Sequence, residues 1–153
     1  RYHHEFVGVN SRLDSIQAAI LDAKLPHLDE YIVARQQAAA FYDQAFEGNP
    51  YLLIPAREKQ SSHVFHQYTL RLVNTDRDAL RAALIEKGIP AMIYYPIPLH
   101  MQKAYNDPRY KKGDFPIAEK LAKCVLSLPM HTELDQEQLT YITQEVLNFV
   151  NNQ

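Results

Sequence analysis

Residues 63 to 95 limit what this chain can fold into more than any other stretch. His63 to Val73 alternates apolar and polar positions, with Val64, Tyr68, Leu70 and Leu72 on one side, and this period of two is that of a strand. Asn74-Thr75-Asp76 then offers short side-chain acceptors for a helix start, where orphan amides need them. A helix is expected from about Arg77 to Lys87, with Leu80, Leu84 and Ile85 inward and Gly88 as its stop. Ala91 to Tyr95 reads as the next strand, ended by Pro96 and Pro98, because proline fixes φ and has no amide hydrogen for a ladder. The result is a strand–helix–strand unit with a short helix.

The flanking sequence adds helices and two short strands. Ser11-Arg12-Leu13-Asp14 resembles a capping box, and Leu13, Ile16, Ile20 and Leu21 follow at helical spacing. Pro26 interrupts that helix, and a second one runs from about Leu28 to Phe46, stopped by Gly48-Asn49-Pro50. Tyr51 to Ile54 suits a short strand, and residues 56–62 and 99–114 read as loops. Pro116 suits the first turn of a helix reaching Lys123; Val125 to Leu128 is a strand. Thr132 to Asp135 caps a last helix from Gln136 to about Phe149. Helices mixed with a few strands indicate an α+β fold.

Composition excludes several classes of function. The chain has 153 residues, 46% hydrophobic and 22% charged, with a net charge of −2. That charge gives no electrostatic footprint for nucleic acid, and the adjacent pair Lys111-Lys112 reads as solvated loop. No apolar run approaches the roughly 18 residues of a membrane helix, and no signal peptide is visible. The first residue is Arg1 rather than Met, so the chain is expected to begin within a longer protein. The single cysteine, Cys124, sits in an apolar run and reads as a buried small hydrophobe. Seven histidines invite a metal reading. His63 and His66, however, face opposite sides of a strand, and no carboxylate or cysteine pattern completes a ligand set. No metal is expected.

One segment carries candidate chemistry. In Tyr94-Tyr95-Pro96-Ile97-Pro98-Leu99-His100 two prolines stiffen the exit from a strand and leave two tyrosines and a histidine at its edge. Rigid aromatic edges with hydroxyls suit stacking on sugars and bases. A core-capping turn with buried tyrosines is the competing reading.

Several motifs together resemble the DegT/DnrJ/StrS sugar aminotransferases. Gly8-Val9-Asn10-Ser11-Arg12-Leu13-Asp14-Ser15-Ile16-Gln17-Ala18-Ala19 is similar to a run just after their cofactor-binding domain. His66-Gln67-Tyr68, Tyr95-Pro96-Ile97-Pro98-Leu99-His100 and Leu128-Pro129-Met130-His131 follow in the family's order. The resemblance implies the aspartate-aminotransferase fold (fold type I), with residues 1–30 ending a large domain and 31–153 forming the C-terminal small domain. It also implies pyridoxal 5'-phosphate as cofactor and glutamate as amino donor. A cytoplasmic homodimer with active sites at its interface is expected, acting on a keto nucleotide-sugar.

Residue by residue, Asn10 matches the asparagine that reaches the phosphate of the partner subunit's cofactor; a turn residue before a helix is the alternative. Arg12 is expected to hold an anionic group of donor or substrate, or else to form a structural ion pair. Tyr94 and Tyr95 match positions facing the nucleotide-sugar pocket, although many relatives have His where Tyr94 stands. The opening Arg1-Tyr2-His3-His4 looks most like enzymes aminating a UDP-linked 3-keto sugar acid for O-antigen and related surface polysaccharides. The chain has eight lysines, and none sits in a context matching the aldimine lysine. That lysine is expected upstream, leaving this polypeptide inactive alone. A sugar dehydratase of the same family, and a non-catalytic binding module or regulator, are the competing functions.

Overall fold

The computed structural model describes residues 3–152; Arg1 and Tyr2 of the opening motif lie outside the described residues. In chain order the elements are α1 (Ser15–Lys24), α2 (Leu28–Phe46), β1 (Leu52–Leu53), β2 (Tyr68–Leu72), α3 (Arg77–Glu86), α4 (Pro116–Cys124), β3 (Val125–Leu128) and α5 (Gln136–Asn151). Helices and a small sheet make an α+β fold, as expected.

The strands form one antiparallel sheet in the order β1-β2-β3. Tyr68, Leu70 and Leu72 bury one face of β2, and Leu126 and Leu128 lie beside them on β3. On the opposite face the paired Thr69 and Ser127 share a hydroxyl hydrogen bond of 2.7 Å. The buried face meets Ala38, Ala39, Tyr42 and Phe46 of α2, Leu80 and Leu84 of α3, and Leu139, Ile142, Val146 and Val150 of α5. Tyr42 packs its ring 4.9 Å from Tyr68 and donates its hydroxyl to the Pro129 carbonyl at 2.9 Å. A buried phenol needs such an acceptor.

The ends of the helices follow local chemistry. Asp76 accepts from the amides of Asp78 and Ala79 to start α3. Gly88, at φ 76°, donates to the Ile85 carbonyl, and Ile89 donates to that of Leu84. This pair of bonds is a Schellman stop, which needs the left-handed backbone glycine adopts at least cost. Asp135 and Gln138 form a reciprocal capping box at the start of α5.

Five expectations are corrected. The capping box of α1 is Asp14 with Gln17, not Ser11 with Asp14, so the helix starts later. The strand expected from His63 begins only at Tyr68. Phe65 adopts φ 48°, which breaks the extended run, turns its ring into the core and leaves Val64 exposed. A non-glycine residue there costs roughly 1–3 kcal/mol. Ring burial offsets that cost, and Arg35 donates to the carbonyls of Phe65, His66 and Met130. Ala91 to Tyr95 is not a strand; only Met92 pairs, with Ser127, through backbone bonds of 2.9 and 2.7 Å. Pro90, without an amide hydrogen, keeps the ladder from lengthening on its side. Ile85 is exposed, because it lies about 100° around α3 from Leu84. Cys124 is half-buried at the end of α4 rather than buried.

Candidate functional site

The crossover from α3 through Met92 delivers the Tyr94–His100 segment to the margin of the sheet. Tyr94 and Tyr95 meet edge to face, with centroids 5.8 Å apart. Both line a cleft of about 500 Å³ together with Leu99 and Gln102, closed on the far side by Ala118 and Leu121 of α4. Tyr94 is half-buried and Tyr95 is 60% exposed. A core-capping turn would hide both rings, so the tyrosines belong to a cleft wall.

The same cleft is shaped by the N-terminal arm, a contact that sequence reading missed. The His4 amide donates to Gln102 Oε1 at 3.1 Å, and the Ala104 amide donates to the His4 carbonyl at 3.0 Å. Gln102 is buried and also donates through Nε2 to the Ile97 carbonyl at 3.3 Å. These bonds pin the arm beside the tyrosines and add His4 to the cleft. Partners 98 positions apart leave no local sequence signal.

Asn10 and Arg12 stand elsewhere. Both are exposed on the irregular arm before α1, and neither lines the cleft. Arg12 Nε donates to Asn10 Oδ1 at 3.0 Å. Among the described residues Arg12 forms no ion pair, so the structural ion pair is not found. Their bond occupies the acceptor end of the Asn10 amide and leaves its donor end, like most of the guanidinium, facing solvent.

The arm and α1 present apolar surface. Phe6, Val7, Val9, Leu13, Ile16 and Ile20 are exposed, Val9 to 93%. No residue from 3 to 30 is buried, whereas the core begins at Ala38. Exposed apolar side chains in this number are uncommon on a surface that stays in water. Among the described residues no cluster of three His, Cys, Asp or Glu side chains could hold a metal, and no helix is long and apolar enough to cross a membrane.

The fold is that of the C-terminal part of aminotransferases of the aspartate-aminotransferase type. It superimposes on the crystal structure of S. venezuelae DesV in complex with a ketimine intermediate with a TM-score of 0.83, at 36% identity over 97% of this chain and 39% of that one. The sequence profile of the DegT/DnrJ/EryC1/StrS aminotransferase family matches residues 1–147, and the chain belongs to that family. It is 45% identical to a "Pleiotropic regulatory protein" of Geobacillus stearothermophilus over 97% of this chain and 40% of the relative. Identity is also 45% to a UDP-N-acetyl-3-dehydro-alpha-D-glucosamine 3-aminotransferase of Acidithiobacillus ferrooxidans, over 92% of this chain and 37% of the relative. It is 41% to the UDP-2-acetamido-2-deoxy-3-oxo-D-glucuronate aminotransferase of Pseudomonas aeruginosa, over 97% and 40%. The chain thus spans about 40% of the length of curated relatives it matches.

Proposed function

We propose that this chain is the C-terminal portion of a pyridoxal-phosphate-dependent aminotransferase that moves an amino group from glutamate to a keto nucleotide-sugar. In this reading residues 1–30 end the large domain and residues 31–153 form the small domain. The observation that carries it is the cleft walled by Tyr94 and Tyr95 in a chain matched by one aminotransferase family over residues 1–147. The substrate is UDP-linked, which the names of two UDP-sugar aminotransferase relatives support, and its product serves surface polysaccharide synthesis. The whole enzyme is a cytoplasmic homodimer with its active sites at the interface. The exposed apolar arm and α1 support a surface that the rest of the enzyme covers.

The residues present fit the cofactor's phosphate. An asparagine whose carbonyl end is already engaged by Arg12 keeps two amide hydrogens for an anion. Asn10 would hold the phosphate of the partner subunit's cofactor through that amide group. Arg12 holds the carboxylate of the amino donor, or that of an acidic sugar, as a bidentate donor. Tyr94 and Tyr95 orient the sugar with ring faces and hydroxyls, and the apolar far wall keeps water from the reacting carbon. Pyridoxal phosphate, when bound, supplies the electron sink for the amino transfer. The lysine that bonds the cofactor lies in the upstream part of the protein.

The test is an absorbance spectrum of the full-length protein with pyridoxal phosphate, taken before and after glutamate. A yellow band that glutamate bleaches supports the aminotransferase. A band that glutamate leaves unchanged points to the dehydratase. No cofactor band at all moves the assignment to a non-catalytic member, the reading that the regulatory name of one relative favours.

A further inference from the structure

Gln102 stands between two 3₁₀ turns, Leu99–Met101 and Lys103–Tyr105. Its amide donates to the Leu99 carbonyl at 3.1 Å, and its carbonyl accepts from the Tyr105 amide at 3.0 Å. The turns on either side thus fix its backbone and aim its side chain. Oε1 takes the His4 amide of the arm, and Nε2 reaches the Ile97 carbonyl within the Tyr94–His100 segment. One primary amide, 6% exposed, therefore bridges the arm and the tyrosine segment. A carboxylate there could accept from His4 but not donate to Ile97, and a lysine could donate but not accept.

Two further ties hold the same stretch of arm. The Ala104 amide donates to the His4 carbonyl at 3.0 Å, and Lys103 Nζ lies 3.7 Å from Glu5 Oε1. That ion pair is exposed on both sides and screened by water, so it adds little. The two backbone bonds are different in kind. They hold the amide and the carbonyl of His4 together, which fixes the direction of its side chain. His4 is the one described residue of the arm that lines the cleft of Tyr94 and Tyr95.

We propose that Gln102 is a positioning residue for the sugar: it latches the arm to the turn after the tyrosine segment and so sets how His4 closes the substrate cleft. The inference rests on the aminotransferase reading above and adds to it which side chain fixes the width of the sugar site. In that reading the arm ends the large domain and the tyrosines belong to the small one, so the latch joins the two domains across the cleft. Without it, the arm keeps the Ala104 bond and a surface ion pair, and His4 is free to swing away from the tyrosines. The sugar end of the ligand loses a wall, and the nucleotide end does not.

The test uses the full-length protein, with UDP-N-acetylglucosamine and UDP as probes in calorimetry. Gln102→Met keeps the length of the side chain and deletes both of these bonds. It is expected to weaken UDP-N-acetylglucosamine by about tenfold, the order of one hydrogen bond, and UDP by less than about twofold. Gln102→Asn, one methylene too short to reach both partners, is expected to give the same selective loss and serves if Gln102→Met does not fold. His4→Ala keeps the backbone bonds and removes the side chain that the latch positions. Because Gln102 acts through His4, the double variant should bind UDP-N-acetylglucosamine no more weakly than the weaker of the two single variants. A residue that merely supports the fold would weaken both probes alike and add its loss to that of His4→Ala. Equal loss for the two probes, full additivity in the double variant, or unchanged affinity in both Gln102 variants overturns the inference, as does a wild type that binds no UDP-N-acetylglucosamine. Bleaching of the wild-type cofactor band by glutamate separately checks the aminotransferase reading. If glutamate fails to bleach while Gln102→Met still weakens UDP-N-acetylglucosamine selectively, the reaction is wrong and the latch stands.

Discussion

Helices α1 and α5 begin in the same way and end up in opposite circumstances. Asp14 accepts from the Gln17 amide at 2.8 Å, and Gln17 Oε1 accepts from the Asp14 amide at 3.2 Å. Asp135 and Gln138 repeat the pair at 2.8 and 3.1 Å. Yet α1 has no buried residue, while α5 buries Leu139, Ile142, Thr143, Val146 and Val150. A cap sets where a helix starts but contributes only about 1 kcal/mol. What anchors a helix is the apolar face it buries. The body from α2 onward has its own core, whereas the arm and α1 carry apolar side chains that nothing in the described residues covers.

The largest expected effect tests that contrast directly. Leu126→Ala empties a fully buried site between the sheet and its helices, and is expected to destabilise the 153-residue chain by about 3 to 4 kcal/mol in urea unfolding. Ile16→Ala on α1, at a position 75% exposed, is expected to cost less than about 0.5 kcal/mol. A comparable loss at both positions means that α1 shares the body's core and that the division is wrong.

Alkaline pH sharpens the same division. Burial raises the pKa of the Tyr42 phenol, and burial followed by the Asp43 hydrogen bond raises that of Tyr68, both above the ordinary 10.0. Unfolded tyrosines ionise near that value while these two stay protonated in the fold, so the unfolded state binds fewer protons. Stability is therefore intact below about pH 10 and falls above it, by about 2.7 kcal/mol per pH unit for two protons. Urea midpoints at pH 9, 10.5 and 11.5 check the slope, and a flat profile removes the assignment of these phenols to the core. The described part of the arm, residues 3–30, has no tyrosine, so this loosening starts in the body.

Smaller changes probe single bonds. Tyr68→Phe deletes a hydroxyl that donates to Asp43 at 2.8 Å, while Asp43 keeps its ion pair with Arg57. About 1 to 2 kcal/mol should be lost. Asp135→Ala should cost about 1 kcal/mol of global stability. Asp14→Ala should leave the unfolding midpoint in place and register only as faster amide hydrogen exchange in α1, because local opening of a helix without buried contacts does not report on the core. Equal shifts in midpoint from the two cap variants would erase the distinction between the helices.

The parts legible in the sequence are those governed by neighbours a few positions apart. Asp76, Gly88, Pro116 and Asp135 mark helix ends through contacts within about one turn, and these ends stand where expected. Tyr94 and Tyr95 line a cleft, but the strand expected to carry them is absent. The misplaced strand at His63 has a distant cause. Phe65 leaves the extended region because its ring is buried and Arg35, 30 positions earlier, collects its carbonyl. The tie of Glu119 to the Gly113 amide and to His100 was invisible for the same reason, since those partners lie six and 19 positions away.

Sequence alone determined the α+β class, the caps of α3 and α5 and the family, because each rests on local residue chemistry or on ordered motifs along the chain. Tertiary structure alone decided that His4 and Gln102 join the tyrosine cleft, that Met92 is a single bridge rather than a strand, and that Asn10 and Arg12 lie outside that cleft. Those outcomes depend on which distant backbone groups pair once the core is closed, and a donor carries no mark of the acceptor it will meet.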